Sequence, residues 1–367
     1  MKIKNGLVFT PEHTMEYKDL CFENGIITEQ SDSGEFDAEG CYVLPGFIDT
    51  HIHGAYGVEF YECEYSGNIK QSLDYLESVG VTSVLITLAT EQFEEYAIDC
   101  EKIVATNDER ILGIHCEGPF VNPIRKGGLR PSALKAPDKS LITLIQEKSG
   151  GMLKILSISP ELEGAKEVID ECVKQGIKVS MAHTNASFEE AQKGAEWGIT
   201  RSTHTYNAMR PFSHRDPGPI GFALTDDRIE CELICDLHHV SAPAIKLCVK
   251  AKGIDNVTMI SDTSFFCGVP EAEYPFGERS LIVKDGFARL PDGTISGSAC
   301  PLTVGAKNMF DMGFTPAEIA VMASVNPARA ADAHDRGELK NGYRADIIVL
   351  DKDFNLKAVF SGGKQVK

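Results

Sequence analysis

The chain has 367 residues, 43% hydrophobic and 25% charged, the proportions of an ordinary globular protein, which exclude a disordered or fibrous architecture. A formal net charge of -18 excludes a general nucleic-acid binder and means that any anionic ligand must be held by a few placed cations. The apolar stretch after Met1 is too short for a signal-peptide core and no run reaches the ~20 apolar residues of a membrane span, so a soluble, cytoplasmic protein is expected.

Residues 1–43 carry short strand-like pieces, Ile3–Phe9 and Ile26–Thr28, broken by Gly, Asp and Ser. From residue 44 onward, short apolar runs alternate with amphipathic stretches of helical period, the signature of βα units in a parallel sheet. The predicted strands are Val43–Ile48, Val81–Leu88, Ile111–Cys116, Leu153–Ile158, Ile177–Met181, Ile199–His204, Ile229–Cys235 and Val257–Ser261. Helical stretches lie between them at Ile69–Val79, Phe93–Ala105, Ala165–Gln175, Phe188–Trp197 (after an N-cap candidate, Ser187) and Ala242–Ala251. Eight strands separated by helices predict an α/β fold, a (β/α)8 TIM-type barrel spanning 44–335. Strand texture returns in Gly342–Asp351 and Leu356–Phe360, followed by Ser361-Gly362-Gly363, so the two termini, 1–43 with 336–367, are expected to pair into a small β-sandwich domain. The eleven cysteines are odd in number and lack Cys-x2-Cys spacing. Several sit in apolar runs (Cys116, Cys231, Cys235, Cys300), which fits free buried thiols better than disulfides or a structural zinc site.

The segment Pro45-Gly46-Phe47-Ile48-Asp49-Thr50-His51-Ile52-His53-Gly54 delivers two imidazoles one residue apart from the end of an apolar run. On a strand such residues share a face, so both rings can address one metal ion. Four more polar outliers fall where strands end, the face on which a barrel enzyme carries its chemistry. Glu117 ends the third strand, His183 the fifth, His204 the sixth and Asp262 the eighth. Taken singly, each has a plain structural reading: Glu117 as a helix cap, a histidine as a satisfied strand-end group. Jointly they form a ligand set. Glu117, His183 and His204 leave an open position, as a catalytic metal site does, and His51 with His53 can hold a second ion with Glu117 bridging. A divalent ion acidifies its bound water, and Asp262 is the candidate general base and acid for hydrolysis of an amide or related bond. The fourth strand ends Ile158-Ser159-Pro160-Glu161 and offers no lysine as an alternative bridge.

The motifs Pro-Gly-Phe-Ile-Asp-x-His-x-His-Gly, His-x-Glu-Gly-Pro-Phe, Ala-His-Thr-Asn-Ala, Thr-His-x-Tyr-Asn-Ala-Met and the later Ser-Asp-Thr resemble the amidohydrolase superfamily and, within it, the N-acetylglucosamine-6-phosphate deacetylases. The resemblance implies hydrolysis of the acetamide of an amino-sugar phosphate, a small-molecule partner, and no nucleic acid or membrane. It implies a divalent metal, one ion or two, with zinc first and iron, manganese, cobalt or nickel as other candidates. It also assigns Asn207, Ala208 and His239 to substrate binding, and Arg215 to the phosphate of a neighbouring subunit's site in a homodimer. Independently, an arginine suits an oxyanion because its planar fork donates paired hydrogen bonds.

Two positions depart from that pattern. Leu129 stands where these enzymes carry a histidine about a dozen residues past the glutamate, and Leu237 where they carry glycine two residues before the substrate-binding histidine. Arg130 is a candidate substitute anion contact. The departures leave the metal chemistry intact and keep open an N-acetylgalactosamine 6-phosphate or other N-acyl amino-sugar deacetylase. A cyclic amidase or deaminase of the same superfamily also stays open, although it gives Arg215 no obvious task. A sugar-binding protein without activity would have no use for Asp262.

Overall fold

Eight parallel strands follow one another around a nearly closed barrel: β1 (Phe47–Ile52), β2 (Val81–Leu88), β3 (Ile111–Glu117), β4 (Leu153–Ile158), β5 (Lys178–Met181), β6 (Ile199–Ser202), β7 (Glu230–Ile234) and β8 (Val257–Ile260). The computed structural model describes residues 1–31, 33–61, 67–89, 92, 94–276 and 279–367. Every residue of β1, β2 and β8 is buried, as expected of strands covered by helices on one side and by the barrel interior on the other. Beyond the ladder, backbone bonds from Asp262 N to His51 O (3.0 Å) and from His53 N to Thr263 O (2.7 Å) tie the end of β8 to the end of β1.

The expected helices are present at Ile69–Ser78, Glu95–Thr106, Ala165–Lys174, Phe188–Trp197 and Ala242–Lys252. Phe93, the expected start of the second, lies outside the described residues. Ser187 caps the fourth: it accepts from Glu190 N while the Glu190 side chain accepts from Ser187 N, a reciprocal capping box.

The termini form two sheets. One orders Ile26–Thr28, Leu20–Glu23, Lys2–Lys4 and Glu35–Asp37; the other orders Lys364–Gln365, Leu356–Ser361, Ile347–Leu350, Tyr42–Pro45, Leu7–Phe9 and Met15–Tyr17. Phe360 of the second meets Phe22 and Phe36 of the first, with ring centroids 5.5 and 5.3 Å away, so the two sheets pack as a sandwich. The expected piece Ile3–Phe9 is thus two strands in two sheets, divided at Asn5, whose φ is +61°.

Two further differences matter. The run Val43–Ile48, expected as one strand, is split at Gly46: Tyr42–Pro45 pairs with Ile347–Leu350 in the terminal sheet, and β1 starts at Phe47. A Cβ at Gly46 would collide with the Thr82 side chain, so only glycine lets the chain pass from one sheet to the other here. After β8 a four-stranded antiparallel sheet, Ala272–Phe276, Arg279–Lys284, Phe287–Arg289 and Ile295–Ser298, stands over the barrel with its own small core of Phe265, Phe266, Leu281, Val283, Ala288 and Leu290. This stretch falls within the 44–335 expected as barrel, and none of its four strands was among the predicted elements. The ten described cysteines are all unpaired, and eight of them are buried. Among the described residues no helix is long and apolar enough to cross a membrane.

Candidate active site

The strand ends deliver all six ligand-type side chains to one cavity or its floor. His51 lies within β1 and His53 just beyond it, Glu117 is the last residue of β3, and His183, His204 and Asp262 each stand two residues past the ends of β5, β6 and β8. The last three have φ of +44°, +31° and +53°, left-handed conformations that turn the chain over the barrel mouth. Such conformations cost a side-chain-bearing residue roughly 1–2 kcal/mol, a strain typical of functional sites.

The groups form two clusters of potential metal ligands, His51 with His53 and Asp262, and Glu117 with His183 and His204. Glu117 Oε1 lies 3.0 Å from His183 Nε2 and 2.9 Å from His204 Nε2, and those two nitrogens are 3.1 Å apart. Glu117 also reaches the other cluster, with Oε2 3.2 Å from His53 Nε2 and Oε1 3.6 Å from His51 Nε2. Asp262 Oδ1 sits 3.5 Å from His51 Nε2 and 3.4 Å from His53 Nε2.

The tautomers follow from the outer partners. His183 Nδ1 faces the Arg125 carbonyl at 2.8 Å, and a carbonyl only accepts, so Nδ1 carries the proton and Nε2 turns a lone pair inward. His51 Nδ1 faces the Glu232 carboxylate at 3.3 Å with the same result, and His51 Nε2 is a buried atom without a hydrogen-bond partner. Nitrogen lone pairs and carboxylate oxygens converging at these distances repel unless a proton or a metal cation lies among them. The donor set therefore fits a divalent metal ion.

The electrostatics show the same demand for positive charge among these groups, met here by protons on the inward nitrogens in the place that a cation would fill. Burial opposes ionisation of Glu117, yet the His51 charge and bonds from His183 and His204 hold its carboxyl well below the usual range. Burial likewise opposes the charged form of His53, but Asp262 and Glu117 raise its pKa to about 9. Asp262 is lowered despite burial, because His51 and His53 outweigh the desolvation.

The cavity is also lined by Asn207, Ala208 and His239, and by both Leu129 and Arg130 of the loop after Glu117. Burial disfavours a charged His239, but Asp236, 2.7 Å from its Nδ1, raises its pKa above the ordinary imidazole value. Arg215 is not brought to the cavity of its own chain; it is exposed on the loop whose Ser213 and Asp216 exchange backbone bonds. Leu237 is also exposed, with φ of +66°, a conformation natural to the glycine that the resembling enzymes carry there.

Sequence reasoning missed two parts of the site. The antiparallel sheet supplies a wall through Leu281, Thr294, Ile295, Ser296 and Gly297. Its strands are short and alternate weakly, which is why periodicity passed over them. Beneath the floor lie Glu232 and Arg201, 0% and 1% exposed. A charge inside the apolar run Cys231-Glu232-Leu233-Ile234 was the available signal for the first.

The amidohydrolase family model matches residues 42–366. The chain is 35% identical to the N-acetylglucosamine-6-phosphate deacetylase of Bacillus subtilis, covering 85% of this chain and 81% of that one. Among solved structures, it resembles the N-acetylglucosamine-6-phosphate deacetylase of Thermotoga maritima at 30% identity, with a TM-score of 0.89 over 100% of this chain and 99% of that one. It is also similar to an Asp-to-Ala mutant of the Mycobacterium smegmatis enzyme in complex with N-acetyl-D-glucosamine-6-phosphate, at 26% identity and a TM-score of 0.91 over 100% and 99% of the two chains. On the whole-length barrel and the matched family model together, the chain belongs to the amidohydrolase family.

Proposed function

We propose that this chain hydrolyses the acetamide of N-acetylglucosamine 6-phosphate, releasing acetate and glucosamine 6-phosphate. The observation that carries the reading is the convergence of four imidazoles and two carboxylates, Glu117 and Asp262, on one cavity in a chain related over its whole length to such deacetylases. Glu117, His183 and His204 would hold one divalent ion, and His51, His53 and Asp262 a second, with Glu117 spanning both; zinc suits the donor set best, with iron, manganese, cobalt and nickel as alternatives. Such an ion supplies Lewis acidity toward the amide carbonyl and toward water. Asp262, held ionised, takes the proton of the attacking water and returns it to the amine nitrogen as the C–N bond breaks.

Asn207, Ala208 and His239 orient the sugar phosphate. Arg215 serves the phosphate in the cavity of a second copy, which makes the working unit a homodimer. Exposed Phe212 and Ile124 support that interface: their loops are pinned to the same segment, Arg210 N to Thr184 O and Arg125 Nε to Asn185 Oδ1. A cytoplasmic location, and a division into a small unit (1–43 with 336–367) and a barrel (44–335), belong to the same reading.

The test is release of acetate and free amine from N-acetylglucosamine 6-phosphate, measured beside the galactosamine isomer and the unphosphorylated sugar on metal-quantified protein. Selective turnover of the glucosamine phosphate is expected. Preference for the galacto isomer would move the assignment to the sister activity, and no turnover of any of the three by metal-loaded protein would reject it.

A further inference from the structure

Below the His51 ring the barrel interior, where apolar layers are the rule, holds a chain of charges. His51 Nδ1 is 3.3 Å from Glu232 Oε2, Glu232 Oε1 is 3.3 Å from Arg201 Nη2, and Arg201 Nη1 is 2.9 Å from Glu230 Oε2. Arg201 is among the largest fully buried side chains of the molecule. A buried pair of this kind contributes little net stability, since desolvation of both ions offsets their attraction. Its geometry has a directional use instead: the carboxylate presents one oxygen to the guanidinium and the other to the imidazole.

The two ligand clusters differ in this respect. His183 leans on a backbone carbonyl, a neutral acceptor, whereas His51 leans on a carboxylate. The ring on the far side of His51 is no substitute: His115 stands 4.7 Å away, but its nitrogens are committed to Thr50 O and Ser157 Oγ, at 3.0 and 2.8 Å.

We infer that Glu232, fixed by Arg201, is a positioning residue that locks His51 with its Nδ1 protonated and its Nε2 lone pair facing Asp262, and thereby sets the affinity of the His51, His53 and Asp262 cluster for a second divalent ion. The inference rests on the metal reading above. A carboxylate behind a ligating histidine raises its basicity and holds its ring, and loss of such a partner lowers metal affinity about 10–100-fold. An amide cannot replace it: Glu232 faces two donors with two acceptor oxygens, while glutamine offers one acceptor and turns a donor toward either Arg201 or His51.

The experiment titrates Zn2+ into the chelator-stripped full-length chain in competition with a chromogenic chelator. Wild type should bind two ions. Glu232→Gln should weaken one of them about 10–100-fold and leave the other unchanged, and His183→Ala should abolish the one that Glu232→Gln spares. The double variant Arg201→Met with Glu232→Gln removes the stranded guanidinium, and should show the same loss of a single ion should the single variant fold poorly. Two unchanged affinities in the double variant, or an equal fall in both, would overturn the inference. A wild type that binds one ion yet releases acetate would also overturn it and would leave the proposed reaction standing.

Discussion

The floor and the wall of the cavity are built on different terms. The floor is made of strand ends in a nearly closed parallel barrel, where His51 and His183 are braced from behind by a carboxylate and a carbonyl and the inward atoms of Glu117, His183 and His204 lie within hydrogen-bonding distances of one another. The wall is made of the loop through Leu129 and Arg130 and of the antiparallel sheet, which has a separate core of six buried residues. A Cβ at Gly128 would press against Ser296 of that sheet, so the two parts of the wall lie close together. A barrel of this kind fixes the chemistry in its strands and leaves the choice of substrate to what is laid over them.

The contrast sets the order of expected effects. His183→Ala breaks the floor: loss of a Lewis acid worth several kcal/mol should lower kcat/KM on the order of 10^3-fold or more, with one ion missing by elemental analysis. Full metal occupancy in that variant would remove His183 from the ligand set. Asp262→Asn should cut kcat about 10^2–10^4-fold, because it deletes proton transfer; near wild-type turnover would rule the carboxylate out as the base. At the mouth, Arg215→Ala should raise KM for the phosphorylated sugar about 10–100-fold, the worth of a charged hydrogen bond, and hardly touch the unphosphorylated one. Mixing that variant with His183→Ala should restore a fraction of sites with the wild-type KM if the arginine serves the neighbouring cavity.

A pH profile sharpens the same contrast. His239 gains its proton more readily in the folded chain, the opposing cost of burial being outweighed by Asp236. A raised pKa means that the protonated ring persists above the ordinary value near 6.5 and is lost as pH climbs through the raised one. KM for the anionic substrate should therefore rise on that alkaline limb, and Asp236→Asn should move the limb to lower pH. A limb that stays in place in Asp236→Asn would mean that another group titrates. The smallest effect is expected at Leu237→Gly, which relieves a left-handed leucine: about 1 kcal/mol of added stability in urea unfolding, with kcat unchanged.

Legibility in the sequence followed the same division. Strands such as Val81–Leu88 and Leu153–Ile158 were readable to the residue because buried parallel strands are continuous apolar runs, and each ligand announced itself as a polar residue where such a run stops. The split at Gly46 was not readable, since both halves of the run are apolar and the reason for the break is the Thr82 side chain of a neighbouring strand. Arg201 was hidden for a similar reason. An arginine in Thr200-Arg201-Ser202-Thr203 looks like a solvated charge until Glu230 and Glu232 are placed beside it.

The join at Gly46 also bears on the order in which the site is assembled. The strand just before it, Tyr42–Pro45, is flanked on one side by Leu7–Phe9 and on the other by Ile347–Leu350, about three hundred residues further along the chain. His51 and His53 therefore leave the ribosome roughly three hundred residues ahead of the strand that secures their segment on its far side. Until then the two imidazoles are attached to a strand missing a neighbour, and such long-range pairing is intrinsically slow. The strand Ile347–Leu350, remote in sequence, thus acts as the last fastening of the segment that carries His51 and His53.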